Sequence, residues 1–232
     1  MKKIIDRIGF LAVIYSVGVM LGLALLILKV TGRIKILHPE RFPREEEGFL
    51  LVSNHPSLLD PFAVFFLFFP DVLFHPLKYS PFHTPDRKNF YNPWYFRWIR
   101  PFSIPVDRYE GGVASLRRMK KVLDNGKRII LFPEGGRTCK GTNFRFSQKG
   151  KKIRRLAEGA GWLAANTGVP IVHVWLEGTD KVFPNTRTGL FFLRFWKRIV
   201  IKIGVPLIFL RNTKATEATE KIEEILLRLA DE

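Results

Sequence analysis

The chain has 232 residues, with 38 Lys and Arg against 21 Asp and Glu, a formal charge of +17, and 21 Phe among its many apolar residues. That length suits one domain with a substantial core and a small appendage. A basic, aromatic-rich chain points to nucleic acid or to an anionic membrane surface, and no RNP-like aromatic strand or zinc spacing supports nucleic acid. The single cysteine, Cys139, excludes an internal disulfide framework and fits a reducing compartment.

Ile8 to Leu28 holds no charged residue and is bracketed by Lys2, Lys3 and Arg7 before it and Lys29, Arg33 and Lys35 after it. It reaches the ~20 apolar residues that a bilayer-spanning helix needs. An in-plane or re-entrant anchor and a cleavable signal peptide compete. The run Leu25-Leu26-Ile27-Leu28 prolongs the core beyond a usual signal sequence. An uncleaved membrane helix over 1–31 is therefore expected, ahead of a folded domain over 32–232. The flanking charges nearly balance, so they do not set its orientation.

Residues 32–48 read as a polar connection with Pro39, Pro43 and Glu45-Glu46-Glu47. Phe49 to Ser53 reads as a buried strand, being short, apolar and Gly-preceded. A helix begun near Ser57 continues into the Phe-rich run 62–69, which serves either core packing or an acyl-chain surface. Val72 to Leu77 is expected as a strand. Residues 80–98, rich in Pro and aromatics, suit a membrane-interface loop or a buried satellite cluster. Further strands are expected at Pro101 to Arg108, Arg128 to Phe132, Val169 to Val174 and Ile199 to Leu207. Helices are expected over Gly112 to Asn125, about 154–167, and 214–230. Strands alternating with helices predict an α/β fold with a mixed, mostly parallel sheet flanked by helices.

Two stretches carry chemistry. In Asn54-His55-Pro56-Ser57-Leu58-Leu59-Asp60, a continuous helix would leave His55 and Asp60 roughly 140° apart. They meet only if the chain turns, and Pro56-Ser57 is suitable turn chemistry. The carboxylate would then fix the tautomer and leave the other imidazole nitrogen free to take a proton. The alternative is a surface His that never touches the Asp. In Glu134-Gly135-Gly136-Arg137-Thr138, two glycines after a strand expose amide N–H groups to an anion, and an Arg adds a planar donor fork. A tight turn with a solvated Arg is the alternative. Arg108 is a second candidate for a phosphate, or is solvated. Nothing marks Cys139 as an activated thiolate. His38, His75, His83 and His173 lack metal-ligand spacing, so no metal is expected.

Taken together, these segments resemble the glycerolipid acyltransferase family, of the lysophosphatidate (1-acylglycerol-3-phosphate) acyltransferase type. Four motifs stand in family order over about residues 48–210. They are His55…Asp60; Ser103-Ile104-Pro105-Val106-Asp107-Arg108; Phe132-Pro133-Glu134-Gly135-Gly136-Arg137-Thr138; and Val169-Pro170-Ile171-Val172. Gly136 replaces the family's Thr, and Phe102 a Gly often found before the second block. The resemblance implies His55 as general base on the hydroxyl of a lysophospholipid and Asp60 as its orienting partner. Arg108 and Arg137 would hold the acceptor phosphate, with Glu134, Gly135, Gly136, Thr138 and Pro170 completing the substrate site. It implies no cofactor, with acyl-CoA or acyl-ACP (an acyl carrier protein) as co-substrate, and lipid, not nucleic acid, as partner. The catalytic domain would be membrane-anchored on the cytoplasmic face of the cell membrane. Another lysolipid or aminolipid acceptor, or a non-catalytic basic membrane-binding module, is the alternative.

Overall fold

The structure, a computed structural model, describes residues 2–44, 48–107, 112–186 and 193–232. Helices α1 (Lys2–Val13) and α2 (Val19–Val30) run on through one π turn, Ile14–Gly18, at whose two ends the backbone stays in the right-handed helical region. Its apolar part, Ile5–Val30, is 26 residues long, enough to cross a membrane by length and composition. The helix lies against the rest of the chain along one stripe. Phe10 stacks on Phe102 at 4.2 Å between ring centroids, and Leu25 is buried in the core. Gly9 and Gly22 sit so close to the rings of Trp98 and Phe69 that neither site has room for a Cβ. The opposite stripe, with Ile8, Val17, Met20, Ile27 and Val30, is exposed and apolar.

After this helix come β1 (Ile34–Leu37) and β2 (Leu50–Ser53), then three short helices, α3 (Asp60–Phe65), α4 (Phe69–Phe74) and α5 (Pro76–Tyr79). The strand expected at Val72 to Leu77 is instead helical. Pro61, Pro70 and Pro76 each stand in a first turn, where a missing N–H costs nothing. Strand β3 (Phe82–His83) forms the sheet edge. The strand expected from Pro101 does not form: Trp94–Phe102 winds as a 3-10 helix, and only the isolated bridges His83↔Ser103 and Asp86↔Val106 follow. Pro101 and Pro105 remove ladder donors, which explains the difference.

The remaining elements are α6 (Val113–Asp124), β4 (Ile129–Leu131), the hairpin β5 (Phe144–Phe146) and β6 (Lys152–Arg154), α7 (Gly159–Thr167), β7 (Ile171–Glu177), α8 (Thr179–Val182), β8 (Ile199–Ile203) and α9 (Ala215–Asp231). Helix α7 starts later than expected because Lys152–Arg154 pairs as a strand.

The main sheet has the order β1-β8-β7-β2-β4-β3. Strands β2, β3, β4 and β7 are mutually parallel; β8 runs antiparallel to β7, and β1 parallel to β8. It is the mixed, mostly parallel sheet expected. Alternation along β2 divides the core: Phe49 and Leu51 face the layer of Leu25, Phe68 and Phe69, while Leu50 and Val52 face Met119, Leu163 and Ile222. The N-terminal helix and α3–α4 thus cover one face, and α6, α7 and α9 the other. The parallel strands bring the ends of β2, β4 and β7 to one edge, where open α/β sheets place their ligands.

Candidate active site

At that edge β2 gives way to Asn54, whose amide continues the pairing by side chain. Its Nδ2 donates to the Leu176 carbonyl (2.9 Å) and its Oδ1 accepts from the Leu176 N–H (2.7 Å). The backbone then turns through Pro56-Ser57 and enters α3 at Asp60. Ser57 N–H donates to Asp60 Oδ2 at 2.7 Å, and His55 Nδ1 meets the same oxygen at 2.7 Å. The two residues therefore meet, and they do so because the chain turns between them. Asp60 is fully buried, and the His55 side chain is 15% exposed. With a carboxylate on Nδ1 the proton belongs there, which leaves Nε2 as an acceptor. Nε2 makes no hydrogen bond to any described residue. The imidazole is steadied by stacking on Phe132, 4.4 Å between centroids.

Burial pushes the Asp60 carboxyl above its usual range. The hydrogen bond and charge of His55, the Thr179 hydroxyl and the Ser57 N–H all oppose that rise.

The glycine loop, following β4, holds His55 from the other side. Glu134 is buried; its Oε1 accepts from the His55 N–H (2.7 Å) and the Thr138 hydroxyl (2.8 Å), and its Oε2 from the Arg154 N–H (2.8 Å). Thr138 N–H in turn donates to the His55 carbonyl at 2.8 Å. Both Glu134 oxygens are thus engaged within the protein. Burial raises its pKa, against these donors. Gly135 takes φ +65° on the exposed side of the loop with open space above it, and Gly136 is buried. Arg137 Nη1 donates to Asn185 Oδ1 (2.6 Å), and Asn185 Nδ2 donates to the Pro56 carbonyl (2.7 Å). The guanidinium is therefore anchored beside the His55 turn.

Pro170 is not brought here. It stands at the opposite edge of the sheet, where its carbonyl accepts from the Leu50 N–H at 3.0 Å as β2 begins. Arg108 lies outside the described residues; Asp107 beside it pairs with Arg87 at 3.3 Å. Phe102 is turned onto Phe10 of the N-terminal helix. Asn54, Thr179 and Asn185 had no assigned part. Only Asn54, adjoining His55, left a trace in the sequence. Among the described residues no group of three His, Cys, Asp or Glu is placed to hold a metal ion.

The fold and site together define an α/β domain with a buried-carboxylate imidazole at the strand ends and an arginine-bearing glycine loop beside it. The model of the Acyltransferase family matches residues 33–177, and the chain belongs to that family. It is 25% identical over 162 residues to 1-acyl-sn-glycerol-3-phosphate acyltransferase LPAT1, chloroplastic, of Arabidopsis thaliana, covering 68% of this chain and 40% of that protein. It is 26% identical over 113 residues to the 1-acyl-sn-glycerol-3-phosphate acyltransferase of Bacillus subtilis, covering 48% of this chain and 52% of that one. The match thus spans about half or less of these relatives. The crystal structure of the 1-acyl-sn-glycerophosphate (LPA) acyltransferase PlsC from Thermotoga maritima superposes with a TM-score of 0.58 at 21% identity, covering 98% of this chain and 97% of that one, which establishes a common fold.

Proposed function

We propose that this protein is an O-acyltransferase that moves a fatty acyl group from a thioester to the free hydroxyl of 1-acylglycerol-3-phosphate. The observation that carries the reading is the His55–Asp60 pair, with Nδ1 held and Nε2 left open. Nε2 takes the hydroxyl proton as that oxygen attacks the thioester carbonyl. The tetrahedral intermediate collapses, the C–S bond breaks, and Nε2–H returns the proton to the departing thiolate. The products are a diacylglycerol phosphate and a free thiol carrier, with no acyl-enzyme. Asp60 stabilises the imidazolium while it exists.

Arg137 binds the acceptor phosphate, Arg108 joins it, and the open side of Gly135 admits the glycerol. Glu134 and Thr138 act through His55, whose backbone they hold. The N-terminal helix keeps the site at the bilayer, on the cytoplasmic face. A helix crossing alone would be surrounded by lipid, whereas this one gives one stripe to Phe69, Trp98 and Phe102. An in-plane seat, with the outer stripe and the exposed Trp94 in the interface, suits that packing.

The test is acyl transfer by the purified protein in detergent, from labelled acyl-CoA and acyl-ACP, to a panel of lysolipids. Transfer chiefly to 1-acylglycerol-3-phosphate is expected. Transfer only to another lysolipid would overturn the acceptor assignment, and none at all the activity.

A further inference from the structure

The hairpin beside the site carries aromatic and cationic side chains that the reaction at His55 does not use. Residues 140–155 carry Lys or Arg at nearly half their positions and no Asp or Glu. Pairing sorts them by face. Ile153 is fully buried, and its cross-strand partner Arg145 turns the same way to meet Glu223 at 2.7 Å. The pairs Phe144↔Arg154 and Phe146↔Lys152 therefore present their side chains on the outer face. There Lys152 Nζ lies 4.5 Å from the Phe144 ring centre, and Phe146 is 62% exposed.

The hairpin is tied to the base by one carboxylate. Glu134 accepts from the Arg154 N–H with one oxygen and from the His55 N–H with the other. The Arg154 side chain crosses Gly141, where no Cβ would fit, so it lies against the segment that leads back to Thr138 and Arg137. The hairpin lies on the side of the sheet covered by α6, α7 and α9, since Ile153 on its inner face packs with Leu163 and Ile222. The apolar helix packs on the other side, with Phe69 and Val172. The apolar helix and the hairpin thus belong to opposite layers of the fold.

We propose that the outer face of the β5–β6 hairpin binds the phosphorylated nucleotide of an acyl-CoA donor, with the purine on Phe146 and the phosphates on Lys152 and Arg154. This rests on the thioester reading above. Alternating aromatic and cationic side chains suit a planar base flanked by phosphates, because rings stack on π faces while cations take the anionic oxygens. An acidic carrier protein would use the cations but has no purine for the exposed ring.

Two measurements test this on the full chain in detergent. In the first, free coenzyme A is titrated calorimetrically into the His55→Ala protein, which cannot turn over. Phe146→Ala should weaken binding roughly 10-fold. Lys152→Glu should weaken it further, with Lys152→Arg restoring it, and salt should weaken it throughout. In the second, palmitoyl-CoA is compared with palmitoyl-pantetheine, which keeps the thioester and lacks the nucleotide. Phe146→Ala and Lys152→Glu should raise KM for the former alone. Equal effects on both thioesters would overturn the proposal, as would an effect confined to acyl-ACP or to binding of phosphatidylglycerol vesicles. Hairpin-dependent binding of coenzyme A by a protein that acylates no lysolipid would uphold the site and sink the reaction. Turnover without such binding would do the reverse.

Discussion

Two donors, the Ser57 N–H and His55 Nδ1, converge on one oxygen of Asp60. That convergence sets the expected mutant series. His55→Ala removes the base, which typically contributes ~10²–10⁴ in rate. Asp60→Asn can place its carbonyl oxygen where Oδ2 stands, preserving both hydrogen bonds and losing only the charge that stabilises the imidazolium. Its kcat should therefore fall less than in His55→Ala; an equal loss would mean that the charge on Asp60 is as indispensable as the base itself. Asn185 gives a second test. Asn185→Leu frees the Arg137 guanidinium without removing it, so KM for the lysophospholipid should rise by less than in Arg137→Ala. For the latter, loss of a charge-assisted hydrogen bond predicts roughly 10- to 100-fold in kcat/KM. A change confined to the acyl donor would contradict the phosphate assignment. The His–Asp pair and Arg137 were legible because each sits in a short contiguous stretch. Asn185 was not: it reaches Pro56 from 129 positions away, and nothing in local spacing encodes such a partner.

Among the elements, β7 and β3 each carry a histidine whose burial lowers its pKa to about 4, His173 and His83. Both stay neutral in the folded protein while the unfolded chain takes up protons below about pH 6.5. Their contribution is complete above that pH and is lost as pH falls toward 4, because there the unfolded state binds more protons. For His173, fully shielded from solvent, the window is worth about 3 kcal/mol; His83, only partly shielded, contributes less. Thermal unfolding at pH 7, 6 and 5 should show Tm falling with acid, and His173→Leu should flatten that slope. An unchanged slope would remove His173 as its source. Helix α6 and the ends of α7 and α9 were readable from apolar spacing and the terminal Gly126 and Gly168, both in the left-handed region. The stretches 72–77 and 101–107 misled because short apolar runs fit strand and buried helix alike. There the prolines, standing as helix openers and ladder breakers, carried the deciding information.

At the scale of the whole molecule, the proposed seat at the bilayer predicts separable contributions to membrane binding from the +17 charge and from the apolar helix. Deleting residues 1–30 should leave weak, salt-sensitive binding to anionic vesicles through the basic surface. Complete loss of binding at low salt would assign the charge to other partners. The same deletion strips cover from Phe69, Trp98 and Phe102, so it should also lower Tm, an effect that a detached stalk would not have. The pairing of β1 with β8 reaches further. Ile34 aligns with Ile199, so the strand that directly follows the apolar helix finds its partner only after β2, β4 and β7 have been passed along the chain. During synthesis β1 waits with an unpaired edge until residues 199–203 have left the ribosome. Closure of the sheet is thus a late event in the life of the nascent chain, and the waiting edge is where premature arrest would invite aggregation or proteolysis.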